Sequence, residues 1–115
     1  MANRHRGEIE AELGGVKRRL VLTLGALAEL EAAFGADDLV ALAERFGSGR
    51  FRSRDLIRVI GAGLRGAGEA ISDDDVARFD APDGAAGFAR TVVALLAATF
   101  GEADARPRQA AEQPG

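Results

Sequence analysis

The sequence predicts an α+β fold, mostly helical, in which an N-terminal β-hairpin packs on a cluster of four to five helices. Three observations carry that prediction. Residues 8–13 alternate between acidic and apolar and run straight into Gly14-Gly15. Apolar residues downstream recur at three- and four-residue spacing as far as Phe100. Gly, Pro and helix-capping Ser, Thr or Asp punctuate those stretches. At 115 residues the chain has room for one domain. That domain is expected over residues 7–101, with a flexible N-terminus at 1–6 and a polar, proline-containing disordered tail at 102–115.

The hairpin comes first. Ile9, Ala11 and Leu13 face one way along the strand, and Glu8, Glu10 and Glu12 the other. Gly14-Gly15 supplies a two-residue turn that tolerates positive φ at both positions. Val16 to Leu22 then returns. Closing on those glycines pairs Leu13 with Val16, Glu12 with Lys17, Glu10 with Arg19 and Ile9 with Leu20. Two pairs of opposite charge then lie on the outer face, each worth a few tenths to about 1 kcal/mol. The inner face holds Ile9, Ala11, Leu13, Val16, Leu20 and Leu22, and Arg18 alone breaks it. A one-residue slip would mispair the charges and expose the apolar set. A lone hairpin is marginal in water, so its apolar face needs the helices.

The helical segments follow in order. Thr23 caps a helix over Leu24–Phe34, with Leu27, Leu30 and Phe34 on one stripe and Gly35 as the stop. Asp37 or Asp38 caps a short helix over Leu39–Phe46. Ser53 caps a third, from Arg54 to about Gly66, with Leu56, Ile57, Ile60 and Leu64 apolar. Ser72 and Asp75 form a capping box with Asp in place of the usual Glu, opening a short helix from Asp73 to about Phe79. After a turn containing Pro82, the last helix runs from about Ala85 to Phe100. Its stripe is Phe88, Val92, Val93, Leu95, Leu96 and Phe100.

Composition narrows the function classes. The chain has no Cys and a single His, His5, which argues against disulfides, thiol catalysis and multi-His metal sites. Fifteen basic and eighteen acidic residues give a net charge of −3, which advertises no general nucleic-acid affinity. Every basic residue but Lys17 is Arg, which suits a GC-rich genome. The N-terminus has no apolar signal segment, and the apolar run Val92–Ala98 is far short of the ~20 residues that span a bilayer. A cytoplasmic, membrane-free protein is expected.

Signals that resemble chemistry have plainer readings. Gly61, Gly63 and Gly66 match G-x-G-x-x-G, but they fall inside a helical pattern, where close packing or a helix stop explains them better than a nucleotide. Asp73, Asp74 and Asp75 lack calcium-loop spacing and suit a helix N-terminus. Arg45, Arg50, Arg52, Arg54 and Arg58 form a basic stretch that reads as solvated or protein-facing more readily than as a nucleic-acid site. No Ser or Thr has a base to activate it. The chain is expected to be no enzyme, with no catalytic, metal or cofactor-binding residues.

The strings LTLGALAELEAAFGADDLVALAERF (22–46), RDLIRVIGAGLRGAGEAISDDDV (54–76) and GAAGFARTVVALLAATFG (84–101) resemble the small tail protein of gene transfer agents and related phages of alphaproteobacteria. That family is grouped with phage tail assembly chaperones and also labelled a tail tube protein. The resemblance implies a chaperone that binds the tape-measure protein through apolar helical surfaces while tail tube subunits polymerise around it. A homo-oligomer and contact with tail tube subunits are compatible with it. The family offers no motif to carry over as a site; the candidates for protein binding, Ile57, Ile60, Leu64, Phe88, Val92 and Leu95, come from the amphipathic helical stripes of this sequence, although most residues of such stripes belong to a core. A structural tube or adaptor subunit is the alternative, for which one short hairpin is little material.

Overall fold

A computed structural model describes residues 7–34 and 52–101. The expected flexible N-terminus, the Leu39–Phe46 helix with its Asp37 or Asp38 cap, Arg45 and Arg50, and the tail at 102–115 lie outside the described residues. Strand β1 (Glu8–Leu13) pairs antiparallel with β2 (Val16–Val21). Helix α1 spans Leu24–Phe34, α2 Ser53–Gly66, α3 Asp73–Ala77 and α4 Gly84–Leu96. A π-helical turn over Ala97–Gly101 prolongs α4. The fold is α+β and mostly helical, with the hairpin packed on the helices.

The hairpin register is the one the charge pattern predicts: Glu12 faces Lys17, Glu10 faces Arg19 and Ile9 faces Leu20. Gly14 and Gly15 take φ of 65° and 80°, the left-handed pair that a tight turn between twisted strands requires. The turn is docked as well as closed. The Gly14 N–H donates to the Asp80 carbonyl at 2.7 Å, and the Phe79 ring lies against Gly14. That cover sits on the Gly14 side. Val16, expected on the inner face, is left 52% exposed.

α2 is the central helix, because it meets β2, α1, α3 and α4. Val59, Ile60, Ala62 and Leu64 are fully buried along it. They share the core with Leu13 and Leu20 of the hairpin, Leu30 of α1, Val76 of α3, and Val92 and Leu95 of α4. Each large apolar side chain contributes about 1.5–3 kcal/mol by leaving water. The glycines of α2 allow this crowding. A Cβ on Gly63 would meet Leu95 Cδ2 at 2.8 Å and Leu20 Cβ at 3.2 Å, and one on Gly66 would collide with the Val21 carbonyl oxygen.

Capping departs from expectation in places. Thr23 does cap α1, accepting from the Ala26 N–H at 3.0 Å. Ser72 and Asp75 form the full capping box of α3. Ser53 is the first residue of α2 rather than its cap; Arg52 holds the cap position and makes no side-chain cap bond there. α2 ends in paired bonds, Gly68 N–H to Arg65 O and Glu69 N–H to Leu64 O, with Gly68 at φ 103°. The α-helical ladder of α4 stops at Leu96, short of the expected Phe100. There the Thr99 hydroxyl donates to the Leu95 carbonyl at 2.7 Å, and Gly7 packs on the Ala98 backbone. Val93, expected on the buried stripe, is 42% exposed, one step round the helix from Val92.

Candidate functional site

The protein-binding residues expected from the sequence divide cleanly. Ile60, Leu64, Val92 and Leu95 are each 0% exposed. They meet the hairpin and one another in the core, so they present no surface in this conformation. Ile57 and Phe88 are half-buried and packed on the rim of that core. These two come together in space. They line one groove of about 260 Å³, open to solvent, between α2, α3 and the start of α4.

The groove is built from three elements. α2 supplies Leu56 and Ile57, α3 and its exit supply Val76 and Phe79, and α4 supplies Ala85 and Phe88. Leu56 and Val76 are buried and form the floor. Ile57, Phe79 and Phe88 form the walls, and Ser53 and Asp80 are polar at the margin. Phe79 was legible only as the end of a predicted short helix. The pattern held no sign that its ring would turn back to the hairpin.

Two arginines hold the short α3 against the remainder of the fold. Arg18 reaches from β2: Nε donates to the Leu13 carbonyl at 2.8 Å, Nη1 to Glu69 at 2.7 Å, and the guanidinium stacks 4.5 Å from the centre of the Phe79 ring. The residue that breaks the apolar face of the hairpin is thus its clamp on the α2–α3 connection. Arg65 of α2 reaches the other way. Nη1 donates to the Ile71 carbonyl at 2.9 Å, and Nη2 bonds Asp73 at 3.1 Å and also Glu29 of α1. Burial alone would lower the pKa of Arg65, but its hydrogen bonds to the Glu29 and Asp73 carboxylates, with their charges, outweigh it and leave the value raised.

The other sequence signals fall into structural places. Gly61, Gly63 and Gly66 all lie within α2, with no strand-to-helix phosphate loop around them. Asp73 bonds Arg65 and Asp75 caps α3. Asp75 has its pKa lowered, first by the backbone N–H of Ser72 and then by the Ser72 hydroxyl. Arg52 and Arg54 are exposed and Arg58 is half-buried. Among the described residues no group of three or more His, Cys, Asp or Glu is placed to hold a metal, and no helix is long and apolar enough to cross a membrane. What the groove offers is apolar walls and an exposed rim.

Comparison with known proteins agrees with a tail protein. A family model described as phage tail tube protein, GTA-gp10, matches residues 6–102. No curated protein and no solved structure matches the chain. The match covers every strand and helix among the described residues, and the family is one of structural components of phage-like tails, here those of gene transfer agents. With nearly the whole chain matched, the protein belongs to the phage tail tube protein GTA-gp10 family.

Proposed function

We propose that the protein is a tail assembly chaperone, not an enzyme, and that it holds a tape-measure protein through the groove between Ile57 and Phe88. A tape measure is a long helix with apolar stripes that must be kept from aggregating until the tube closes around it. Its chaperone needs modest, reversible apolar contact, and an amphipathic helix laying anchors into a groove is the natural mode. The observation that carries this reading is the groove itself. At about 260 Å³ it lies below the ~300–1,000 Å³ of small-molecule sites and suits one or two inserted side chains. It works in the bacterial cytoplasm, in an alphaproteobacterial host, where particles are assembled.

The description of the family favours a second reading, a tube or adaptor subunit that remains in the particle. Against it, the sheet among the described residues has two strands of six residues each, little material for a ring closed through shared sheets. Co-expression with the tape-measure protein, followed by pull-down, tests the first reading. A chaperone co-purifies with it and is scarce in the mass spectrum of finished particles. A tube subunit is abundant in them, and that result overturns the chaperone reading.

A further inference from the structure

Among the described residues β1 has a strand partner on one side only. The two-residue turn makes Leu13–Val16 a hydrogen-bonded pair. Antiparallel pairs alternate, so Glu12–Lys17 and Glu10–Arg19 are non-hydrogen-bonded pairs. The backbone N–H and C=O groups of Glu10 and Glu12 therefore point away from β2. On that side lies a second groove, of about 290 Å³, between Ile9–Glu12 and α4. It is lined by residues from both faces of β1, Ile9 and Ala11 as well as Glu10 and Glu12, which marks it as running along the edge of the strand. Across it, α4 presents Gly87, Thr91 and Ala94, small residues at helical spacing that leave the groove unfilled.

The charges state what would fit. On the outer face Glu10 and Glu12 have Arg19 and Lys17 opposite them on β2. Arg90, the basic residue on the far wall, is already engaged by Asp83. A second copy's β1 laid antiparallel along this edge would set Glu against Glu whenever the apolar faces coincide, which is repulsive. A strand with Lys or Arg at alternate positions would repeat the pairing β2 already makes. We propose that the open edge of β1 takes up an extended segment of a partner protein, basic at alternate positions and apolar between them, as a third strand in the groove between β1 and α4. This holds for a chaperone and a tube subunit alike. The two grooves share only Ala81 among their lining residues, so one can fail without the other.

The test uses the full chain and a capped seven-residue peptide of alternating valine and lysine. Two controls accompany it: alternating valine and glutamate, and the valine–lysine composition with its lysines in one block. We expect the alternating basic peptide to bind at least about tenfold more tightly than either control. It should slow amide exchange at Glu10 and Glu12 at least about tenfold, while Ile9 and Ala11, already in the ladder, change little. Glu10→Pro removes an outward N–H without touching the β2 ladder and should abolish binding. If that variant does not fold, Glu10→Lys with Glu12→Lys carries the test, and its preference should reverse to the valine–glutamate peptide. Equal binding of the block control, unchanged exchange at Glu10 and Glu12, or a preference unmoved by the charge reversal would overturn the proposal.

Discussion

Arg18 and Glu69 meet at 2.7 Å across 51 residues of sequence, and that pair ties the hairpin to the α2–α3 connection. The same guanidinium covers the Phe79 ring and binds the Leu13 carbonyl. Its side chain is only 19% exposed, so solvent screens the pair less than it would a surface bridge. Arg18→Ala removes all three contacts and the packing of the stem, and should cost about 2 kcal/mol in urea unfolding. Arg18→Met keeps the stem and should recover part of the loss. If both variants unfold at the wild-type midpoint, the clamp is not a structural element.

Arg65 makes a sharper chemical demand. It reaches Glu29, the Ile71 carbonyl and Asp73 from one planar fork, joining α1, α2 and α3. A lysine carries its donors on one atom and cannot span these acceptors. Arg65→Lys should therefore behave much like Arg65→Ala, each losing about 1 kcal/mol, because the site is partly open to solvent. Denaturation at low and high salt checks this. The wild type should be the more salt-sensitive protein, and equal sensitivity would mean that the ion pairs contribute little.

The register of the hairpin was legible because two independent patterns, charge and apolarity, agree on a single pairing, although the exposure of Val16 was not. Helix positions were legible from spacing and caps, as at Thr23 and Ser72. What periodicity could not separate was core from surface within one stripe. Ile57 and Ile60 are three residues apart on the same helix, yet Ile60 is sealed by its neighbours and Ile57 lines a groove. That difference depends on where α3 and the start of α4 lie, and α3 is placed by long-range contacts such as those of Arg18 to Phe79 and Arg65 to Asp73. The function of Arg18 was hidden for the same reason. A lone charge on an apolar face signals a special residue, but its partners stand dozens of positions away.

Gly66 and Gly63 give an ordered pair of expectations. Alanine at either would gain about 1 kcal/mol of helix propensity. At Gly66 the added Cβ meets the backbone oxygen of Val21, which cannot move without shifting β2. At Gly63 the nearest atom is Leu95 Cδ2 at 2.8 Å, the far end of a side chain that can rotate, and Leu20 Cβ at 3.2 Å needs to give by only a few tenths of an ångström. Gly66→Ala should therefore destabilise by about 1–3 kcal/mol net, and Gly63→Ala by clearly less. Thermal melts of the two variants decide the order, and a Gly66→Ala protein as stable as wild type would show that β2 and α2 do not approach this closely.

Asp75 makes the capping box sensitive to acid. The Ser72 N–H donates to Oδ2 at 3.2 Å and Asp75 accepts it best when ionised, so its folded-state pKa lies below the ordinary Asp value. A depressed carboxylate contributes stability above the pH at which the unfolded chain titrates, and loses it as pH falls through the folded value. α3 should thus loosen only in strong acid. An NMR titration of Asp75 should show its inflection below the normal range, moving upward in Ser72→Ala, which also loses about 1 kcal/mol of capping. An inflection unmoved by that substitution would leave the Ser72 backbone N–H, which alanine retains, as the whole cause, and an inflection at the ordinary Asp value in the wild type would overturn the prediction.

The groove between Ile57 and Phe88 can be challenged without disturbing the core. Ala85 lies on its rim, is exposed, and sits in the first turn of α4, where an acidic side chain is favourable to the helix. Ala85→Glu should leave the melting temperature unchanged or slightly raised while placing a charge at the mouth of the groove. Ile57→Glu places one on the wall itself, at a modest cost because the side chain is already half exposed. If the groove grips a tape-measure helix, both variants should lose co-purification of that protein by at least about tenfold, equivalent to about 1.4 kcal/mol. Ile60→Ala, by contrast, should cost about 2–5 kcal/mol of stability as a core truncation. Full retention of the tape measure by Ala85→Glu and Ile57→Glu would move the gripping surface elsewhere on the molecule.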